Sequence, residues 1–194
     1  MKTVFVDVDT QVDFMFPAGA LYAPGAEKIL PVVAALNGYA ARTGAPVLST
    51  MDAHSENDPE FASWPPHCVV GTVGQRKPDS TLLAQRIVVP STRGAVFSLD
   101  LCEQIVIEKQ HIDMFTNDNL SFVLGHLQAQ RFVVYGVVTE ICVRCAAFGL
   151  LRKGKLVELV TDAVRSLDDE KAQQMLVEFT AAGGRLTTAA AVMM

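Results

Sequence analysis

Short β-branched runs alternate with longer helical patterns along this chain, and this alternation constrains the fold more than any other feature. Strands are predicted at Thr3–Val8, Ala45–Met51, Ile105–Glu108, Phe132–Val138, Lys155–Val160 and Arg185–Thr188. Helices are predicted over Ala26–Arg42 (with a break near Pro31), Asn119–Ala129, Glu140–Arg152 and Ser166–Ala182. Strands that alternate with helices form right-handed crossovers around a parallel sheet. We therefore predict one domain over residues 1–194, a three-layer α/β/α sandwich with a mostly parallel central sheet of about six strands.

The charge pattern and the cysteine content limit the possible partners and location. Sixteen basic and 21 acidic residues give a formal net charge of −5, and no basic run is present, so neither nucleic acid nor an anionic membrane is expected as a partner. Asp7 interrupts the first apolar run before a signal peptide could form, and no apolar run is long enough to span a bilayer. Four cysteines do not suggest a disulfide framework. We expect a cytoplasmic protein.

Polar residues follow the carboxyl ends of several predicted strands, which is where parallel α/β sheets bind their ligands. These residues are Asp9, Asp52, Lys109 and Cys142. A long segment over residues 53–80 is rich in Pro, Gly, Asn, Asp and Ser and is predicted to be a loop. A loop of that length in a compact domain is usually functional or disordered, and its Trp and His content favours a functional loop.

The start of this loop carries a pattern typical of metal ligands. Asp52 and His54 are two residues apart, so at the end of a strand both side chains leave the same face. His67 follows Pro65 and Pro66, whose fixed φ leaves the backbone few alternatives. One carboxylate and two imidazoles can hold a divalent metal while positions stay open for water or substrate. The pattern therefore predicts one divalent metal ion.

Cys142 is the candidate nucleophile. It lies near the start of the helix predicted at Glu140–Arg152, where backbone N–H groups and the helix dipole favour a thiolate and can stabilise an oxyanion. Asp9 could take the thiol proton and deliver it to a leaving amine, and Lys109 could keep both groups charged and oriented. Considered one at a time, Cys142 is more typical of a buried structural thiol, Asp9 of a turn residue and Lys109 of a surface cation. Their shared position at strand ends favours a catalytic site.

Two other functions stay open for the cysteines. Cys142 and Cys145 form a Cys-x-x-Cys pattern, which at a helix start also occurs in thiol redox proteins. His67 and Cys68 could bind a structural zinc together with this pair, although the metal residues lack paired Cys-x-x-Cys knuckles. A reversible Cys142–Cys145 disulfide without amidase activity would favour the redox function.

The motifs together resemble the nicotinamidase branch of the isochorismatase-like cysteine hydrolases. The resemblance covers nearly the whole chain and rests on Asp9-x-Gln11-x-Asp13-Phe14, Asp52-x-His54, Trp64-Pro65-Pro66-His67-Cys68 with Gly71-Thr72, Lys109, Gly136-x-x-Thr139-x-x-Cys142-Val143 and Thr161-Asp162-Ala163. The Trp-Pro-x-His-Cys and Gly-x-x-Thr-x-x-Cys-Val elements are specific in combination. The resemblance implies the isochorismatase-like hydrolase fold and the hydrolysis of nicotinamide to nicotinate and ammonia through a cysteine thioester.

The resemblance also implies a role for each catalytic residue. Cys142 would be the nucleophile, Asp9 the general base and acid, and Lys109 the third member of a triad. The family has a cis peptide bond before the residue that matches Val138. Backbone N–H groups of Val138 and Cys142 would then form the oxyanion hole.

The metal ligands are implied in the same way. Asp52, His54 and His67 match ligands of the family, and the fourth ligand falls at Glu60, with Asp58 as the local alternative. Carboxylate oxygen suits the same ions as the imidazoles. The ion would be zinc, manganese or iron.

Phe14 and Trp64 match the aromatic pair that holds a pyridine ring in this family. Residues 76–96 and 110–119 depart from the family pattern, and both segments could line the pocket. A different small amide or a carbamoyl compound is therefore an alternative substrate. Hydrolysis of an isochorismate-type vinyl ether is disfavoured, because it needs neither the thiol nor the ion. We also expect the chain to form a homo-oligomer.

Overall fold

The computed structural model describes residues 1–194 and contains one sheet of seven strands. The strands are β1 (Thr3–Val8), β2 (Val47–Asp52), β3 (Arg86–Val89), β4 (Gln104–Lys109), β5 (Arg131–Val137), β6 (Leu156–Arg165) and β7 (Arg185–Thr187). Their order across the sheet is β3-β4-β2-β1-β5-β6-β7, and every neighbouring pair is parallel. The predicted parallel α/β fold is confirmed.

Six α-helices cover the sheet: α1 (Val12–Met15), α2 (Leu30–Thr43), α3 (Leu120–Leu127), α4 (Arg144–Arg152), α5 (Asp169–Ala181) and α6 (Ala189–Val192). Short 3₁₀ helices lie at Ala26–Ile29, Pro59–Ala62, Asp79–Thr81 and Met114–Thr116, and a π-helical turn spans Thr139–Val143. None of the helices combines the length and the apolar character needed to cross a membrane.

The two faces of the sheet pack against different helices, because successive side chains along a strand point to opposite faces. On β1, Val4, Val6 and Val8 pack in one apolar core with side chains of α3, α4 and α5. Phe5 points the other way and packs in a second core with α1, α2 and α6. This arrangement gives the three predicted layers.

The sheet has one strand more than the predicted count of about six. The prediction missed β3, which lies within the segment that departs from the family pattern. It pairs only with β4 at the edge of the sheet, and of its four residues only Val89 is buried. Its apolar run of Ile87, Val88 and Val89 is only three residues long and ends at Pro90, so it is shorter than the runs that mark buried parallel strands.

Two predicted helices begin differently from the expectation. The first starts as the 3₁₀ helix Ala26–Ile29 and becomes α-helical at Leu30, directly before Pro31. Proline is well placed in a first helical turn, because its missing N–H would have no partner there. The helix predicted from Glu140 begins instead as the π-helical turn and becomes α-helical only at Arg144.

The strand order places a ligand-binding edge at the centre of the sheet. From β1 the chain moves to β2 on one side, and after β4 it crosses to β5 on the other side. In open α/β sheets ligands bind beyond the carboxyl ends of strands at such a reversal. Asp9, Asp52, Lys109 and Cys142 lie at or beyond the ends of β1, β2, β4 and β5.

Substitution of Gly136 is expected to test the close approach of β1 and β5 directly below this edge. Gly136 pairs with Val8 and has φ +115°, and an added Cβ would lie 2.1 Å from the Val8 carbonyl oxygen. We expect Gly136→Ala to lower the free energy of unfolding by about 3 kcal/mol, through backbone strain and overpacking. Urea unfolding of the purified protein measures this loss.

Gly154→Ala is the matched control. Gly154 also has positive φ (+70°), but an added Cβ would have nothing within 4 Å. We expect it to cost only about 1 kcal/mol, from the left-handed backbone alone. Equal losses in the two variants would contradict the role given to the Val8–Gly136 contact.

Candidate active site

The ammonium group of Lys109 lies at the centre of the predicted site. Its Nζ is 2.9 Å from Asp9 Oδ2 and 3.8 Å from Cys142 Sγ, and it donates a hydrogen bond to Asp52 Oδ1. Lys109 is only 1% exposed. It pairs in register with Asp52 at the ends of β4 and β2. One buried cation therefore joins residues contributed by four adjacent strands.

The two neighbouring carboxylates keep this lysine charged. Burial by itself disfavours the ammonium, but the charges of Asp52 and Asp9 raise the pKa of Lys109 well above its ordinary value. Burial has the opposite sign for an acid and raises the pKa of Asp52 to about 7, against the lowering effect of Lys109. Lys109 is thus a cation that faces both acids and the thiol.

Asp9 is held by a neighbouring strand in an uncommon backbone conformation. It follows β1 with φ +45°, in the left-handed region that Asp tolerates better than most residues. Its N–H donates to Thr50 Oγ1 at 3.1 Å, and the Thr50 hydroxyl donates to Asp9 Oδ1 at 2.6 Å. The carboxylate is buried with its other oxygen towards Lys109.

Cys142 reaches the site through an irregular connection after β5. The Val137–Val138 peptide bond is cis, as the family resemblance implied, and the π-helical turn follows directly. π-Helical turns occur frequently at functional sites. Burial raises the pKa of the Cys142 thiol well above its ordinary value, while Lys109 lowers it and Asp9 raises it. This direction favours the protonated thiol, so a neighbouring base would be needed for Cys142 to act as a nucleophile.

The predicted metal ligands Asp52, His54 and His67 form a compact buried group. Their ligand atoms all lie within 4.8 Å of one another, and Asp52 Oδ2 is 3.9 Å from Nε2 of each histidine. His54 Nε2 is buried and has no hydrogen-bond partner within the protein. A buried nitrogen without a partner is costly unless something else binds it. Two nitrogens and one carboxylate suit zinc and neighbouring transition metals, so the residues fit the predicted ion.

The other nitrogen of each histidine is held by the protein. His67 Nδ1 is 2.7 Å from the Pro65 carbonyl oxygen, and His54 Nδ1 is 3.1 Å from Asp58 Oδ2, a close charge contact without hydrogen-bond geometry. Such contacts fix the ring so that Nε2 is presented to a metal. Burial lowers the pKa of His67, which favours the neutral imidazole that binds metals. Sequence reasoning named Asp58 only as an alternative ligand and missed this orienting contact.

The group of three contains neither Glu60 nor Asp58. Glu60 is half-buried in the 3₁₀ helix Pro59–Ala62, close enough for its charge to act on His67. Glu60 as the fourth ligand stays a prediction.

No cysteine belongs to this group, and all four cysteines of the chain are free. Cys68 follows His67 directly but is fully buried, with its Sγ 3.9 Å from the Gly74 carbonyl oxygen. The arrangement does not support a structural zinc bound by cysteines.

Aromatic rings surround the two histidines. The ring centroid of Phe14 is 5.4 Å from that of His67, and Phe61 lies 5.3 Å from His54 and 5.7 Å from His67. Phe61 was missed from the sequence, although it is an apolar residue within a polar loop. Trp64 is half-exposed in the same loop. Phe14 thus lies beside the metal group, while its predicted pairing with Trp64 around a substrate ring stays a prediction.

The residues of the Asp9-x-Gln11-x-Asp13 motif support different parts of the site. Gln11 accepts a hydrogen bond from the Asp52 N–H at 2.7 Å and donates to the Asp52 carbonyl oxygen at 2.9 Å. Asp13 accepts from the N–H of Cys68 at 2.7 Å and so holds the chain directly after His67. Sequence reasoning quoted both residues without a role, although the regular spacing of two between Asp9, Gln11 and Asp13 was a signal.

The comparison with known families agrees with the motifs. The model of the isochorismatase domain matches residues 3–191. The chain belongs to the isochorismatase family.

Three similar proteins illustrate the similarity. The nicotinamidase of Escherichia coli (strain K12) is 27% identical over 209 residues, which cover 94% of this chain and 93% of that protein. The pyrazinamidase of Pyrococcus horikoshii, solved in complex with zinc, has a TM-score of 0.80 and 28% identity, covering 97% of this chain and 99% of that one. N-carbamoylsarcosine amidase from Thermoplasma acidophilum has a TM-score of 0.78 and 25% identity, covering 97% of each chain. The predicted resemblance to the nicotinamidase branch is confirmed.

The two segments that depart from the family pattern contact each other beside the end of β4. The Asn117 side-chain amide donates to the carbonyl oxygens of Glu108 (2.7 Å) and Pro90 (3.2 Å). The Asn119 amide donates to those of Pro90 (2.8 Å) and Thr92 (3.0 Å). Residues 76–96 and 110–119 are therefore tied together next to Lys109.

Substitution of Asp58 is expected to weaken the metal site without removing a ligand of the buried group. We expect Asp58→Asn to reduce zinc affinity about 10- to 100-fold, because the contact that fixes the His54 ring loses its charge. Competition with a chromogenic zinc chelator measures the change.

Glu60→Gln is the comparison in the same loop. If Glu60 is the fourth ligand, its substitution also weakens zinc binding, and unchanged affinity would contradict that prediction. Unchanged affinity in Asp58→Asn would instead contradict the orienting role of Asp58.

Proposed function

We propose that this chain is a metal-containing cysteine amidohydrolase that converts nicotinamide to nicotinate and ammonia. The observation that carries the proposal is the contact of one buried lysine, Lys109, with Asp9, Asp52 and Cys142. This contact joins a base, a thiol and the candidate metal group in one site. The E. coli nicotinamidase and the P. horikoshii pyrazinamidase, similar over nearly their whole lengths, support a hydrolase of linear amide C–N bonds.

In the first half of the proposed reaction, Asp9 accepts the thiol proton of Cys142. The sulfur attacks the amide carbon, and the electron pair of the C=O bond moves to oxygen, which gives a tetrahedral intermediate. The C–N bond then breaks, Asp9 returns the proton to the nitrogen, and ammonia leaves. A thioester between the acyl group and Cys142 remains.

In the second half, water cleaves this thioester. Asp9 accepts a proton from the attacking water and returns it to the sulfur as the acid product leaves. Lys109 stays charged throughout, between the two carboxylates and the sulfur, and keeps them oriented. The cycle returns the enzyme to its protonated resting thiol.

The oxyanion of each tetrahedral intermediate is proposed to bind the backbone N–H groups of Val138 and Cys142. Both residues are buried at the irregular turn after β5, so the donors act away from bulk water. The rigid turn would hold the donors in place without reorganisation during the reaction.

Asp52, His54 and His67 are proposed to hold the metal ion, with Glu60 as a fourth ligand. When bound, the ion supplies positive charge that polarises water or anchors a ring nitrogen of the substrate. The zinc bound to the P. horikoshii pyrazinamidase supports zinc for this chain. The buried, unpartnered Nε2 of His54 supports the same site.

The substrate ring is proposed to lie between Phe14 and Trp64. A carbamoyl compound is the second candidate substrate, because the T. acidophilum relative is a carbamoylsarcosine amidase with nearly the same structural similarity. The joined segments 76–96 and 110–119, next to Lys109, are the place where the two substrates would be distinguished. Self-association of the chain stays a prediction.

Substitution of the nucleophile provides the main test. We expect Cys142→Ala to abolish ammonia release from nicotinamide with an unchanged circular dichroism spectrum, because no thioester can form. Cys145→Ala is the matched control, since it removes a thiol three residues away, and it should keep its activity. Full activity in Cys142→Ala would contradict the proposal. A reversible Cys142–Cys145 disulfide without amidase activity would instead favour the redox function.

An ammonia-release screen tests the substrate. We expect release from nicotinamide and pyrazinamide, and we expect a chelator to reduce it if the ion takes part. N-carbamoyl amino acids and unrelated primary amides complete the panel. Preference for a carbamoyl compound over both pyridine-type amides would replace nicotinamide with the second candidate.

A further inference from the structure

We infer that Thr50 is a positioning residue for the reaction: its hydroxyl holds one carboxylate oxygen of Asp9 so that the other faces Lys109 and Cys142. This inference rests on the proposed function, because it concerns the residue proposed there as base and acid. Thr50 belongs to none of the motifs that indicated the site.

Two hydrogen bonds fix the Thr50 hydroxyl in one orientation. Thr50 Oγ1 accepts the backbone N–H of Asp9 at 3.1 Å and donates its own proton to Asp9 Oδ1 at 2.6 Å. Thr50 is fully buried, and Asp9 is 1% exposed. Water therefore does not compete for these groups, and the same residue holds both the backbone and the side chain of Asp9. Only a hydroxyl can donate and accept in this way.

The consequence is that the two oxygens of Asp9 differ. Oδ1 receives the Thr50 proton, whereas Oδ2 lies 2.9 Å from Lys109 Nζ. Because Lys109 Nζ is also 3.8 Å from Cys142 Sγ, we assign the proton exchange with the thiol to Oδ2. Proton transfer requires hydrogen-bond reach between the two groups. Without the Thr50 contact, the carboxylate could rotate and lose that reach.

The backbone of Thr50 is held by Lys77, which lies in the segment 76–96 that departs from the family pattern. Its carbonyl oxygen accepts a hydrogen bond from Lys77 Nζ at 3.3 Å. Lys77 is 4% exposed, and its Nζ is also 3.2 Å from Oδ2 of the fully buried Asp7. The buried Lys77–Asp7 ion pair therefore also holds the backbone of Thr50 in place.

The test compares Thr50→Val with Thr50→Ser. Valine has nearly the shape of threonine but no hydroxyl, whereas serine keeps the hydroxyl and loses the methyl group. We expect Thr50→Val to lower kcat about 10- to 100-fold, with KM within about threefold and zinc content unchanged, because the loss is one of orientation. Thr50→Ser should recover most of the lost kcat.

Thr161→Val is the matched control for removing a threonine hydroxyl from a strand. Thr161 is half-buried in β6, and its hydroxyl donates to the Thr187 carbonyl oxygen at 3.1 Å. We expect its kcat to stay close to that of the unchanged chain. An unchanged kcat in Thr50→Val would overturn the inference. An equal loss of kcat in Thr50→Ser and Thr50→Val would overturn it as well.

A double-mutant cycle shows whether Thr50 acts through Asp9, and it does not depend on the substrate. The rate of Cys142 alkylation by iodoacetamide, read by peptide mass spectrometry, is measured for Thr50→Val, Asp9→Ala and the double variant. We expect Thr50→Val to change the rate of Cys142 alkylation when Asp9 is present, but not when Asp9 is replaced by alanine.

The same change in both backgrounds would overturn the inference. If the unchanged chain hydrolyses no amide at all, the proposed function fails. The alkylation cycle still decides whether Thr50 positions Asp9.

Discussion

The buried ammonium of Lys109 is the interaction on which the site depends. Asp9 and Asp52 come from different strands, and both are almost fully buried beside the Cys142 thiol. Two buried carboxylates this close together would strongly disfavour each other's ionised form without a cation between them. Lys109 supplies that cation and touches all three residues. The proposed acid–base residue, the proposed nucleophile and the candidate metal group therefore form one electrostatic unit.

Around this unit, several polar side chains form hydrogen bonds with backbone groups of the site residues. Gln11 binds both the N–H and the carbonyl of Asp52, Asp13 binds the N–H after His67, and Thr50 binds the N–H of Asp9. Each contact positions a functional residue by fixing the chain that carries it. Functional side chains held by such supporting contacts keep their geometry during a reaction.

Much of the fold and part of the site were predictable because they depend on local patterns. The predicted first strand matches β1 residue for residue, and parallel strand ends were expected to bring Asp9, Asp52, Lys109 and Cys142 to one edge. Strand β3 was missed because its apolar run is only three residues long and ends at Pro90. Thr50 and Phe61 were missed because their partners are selected by packing rather than by sequence spacing.

The sequence by itself determined the alternation of strands and helices, the family motifs and the residue types able to hold a metal or attack an amide. Only the tertiary structure decided which oxygen of Asp9 binds Thr50, that Nε2 of each histidine lies near Asp52, and that Asp58 contacts His54 from outside the group of three candidate ligands. Periodicity and spacing report which face of an element a side chain occupies. Hydrogen bonds between residues 41 positions apart, such as that between Thr50 and Asp9, arise only when the strands lie side by side.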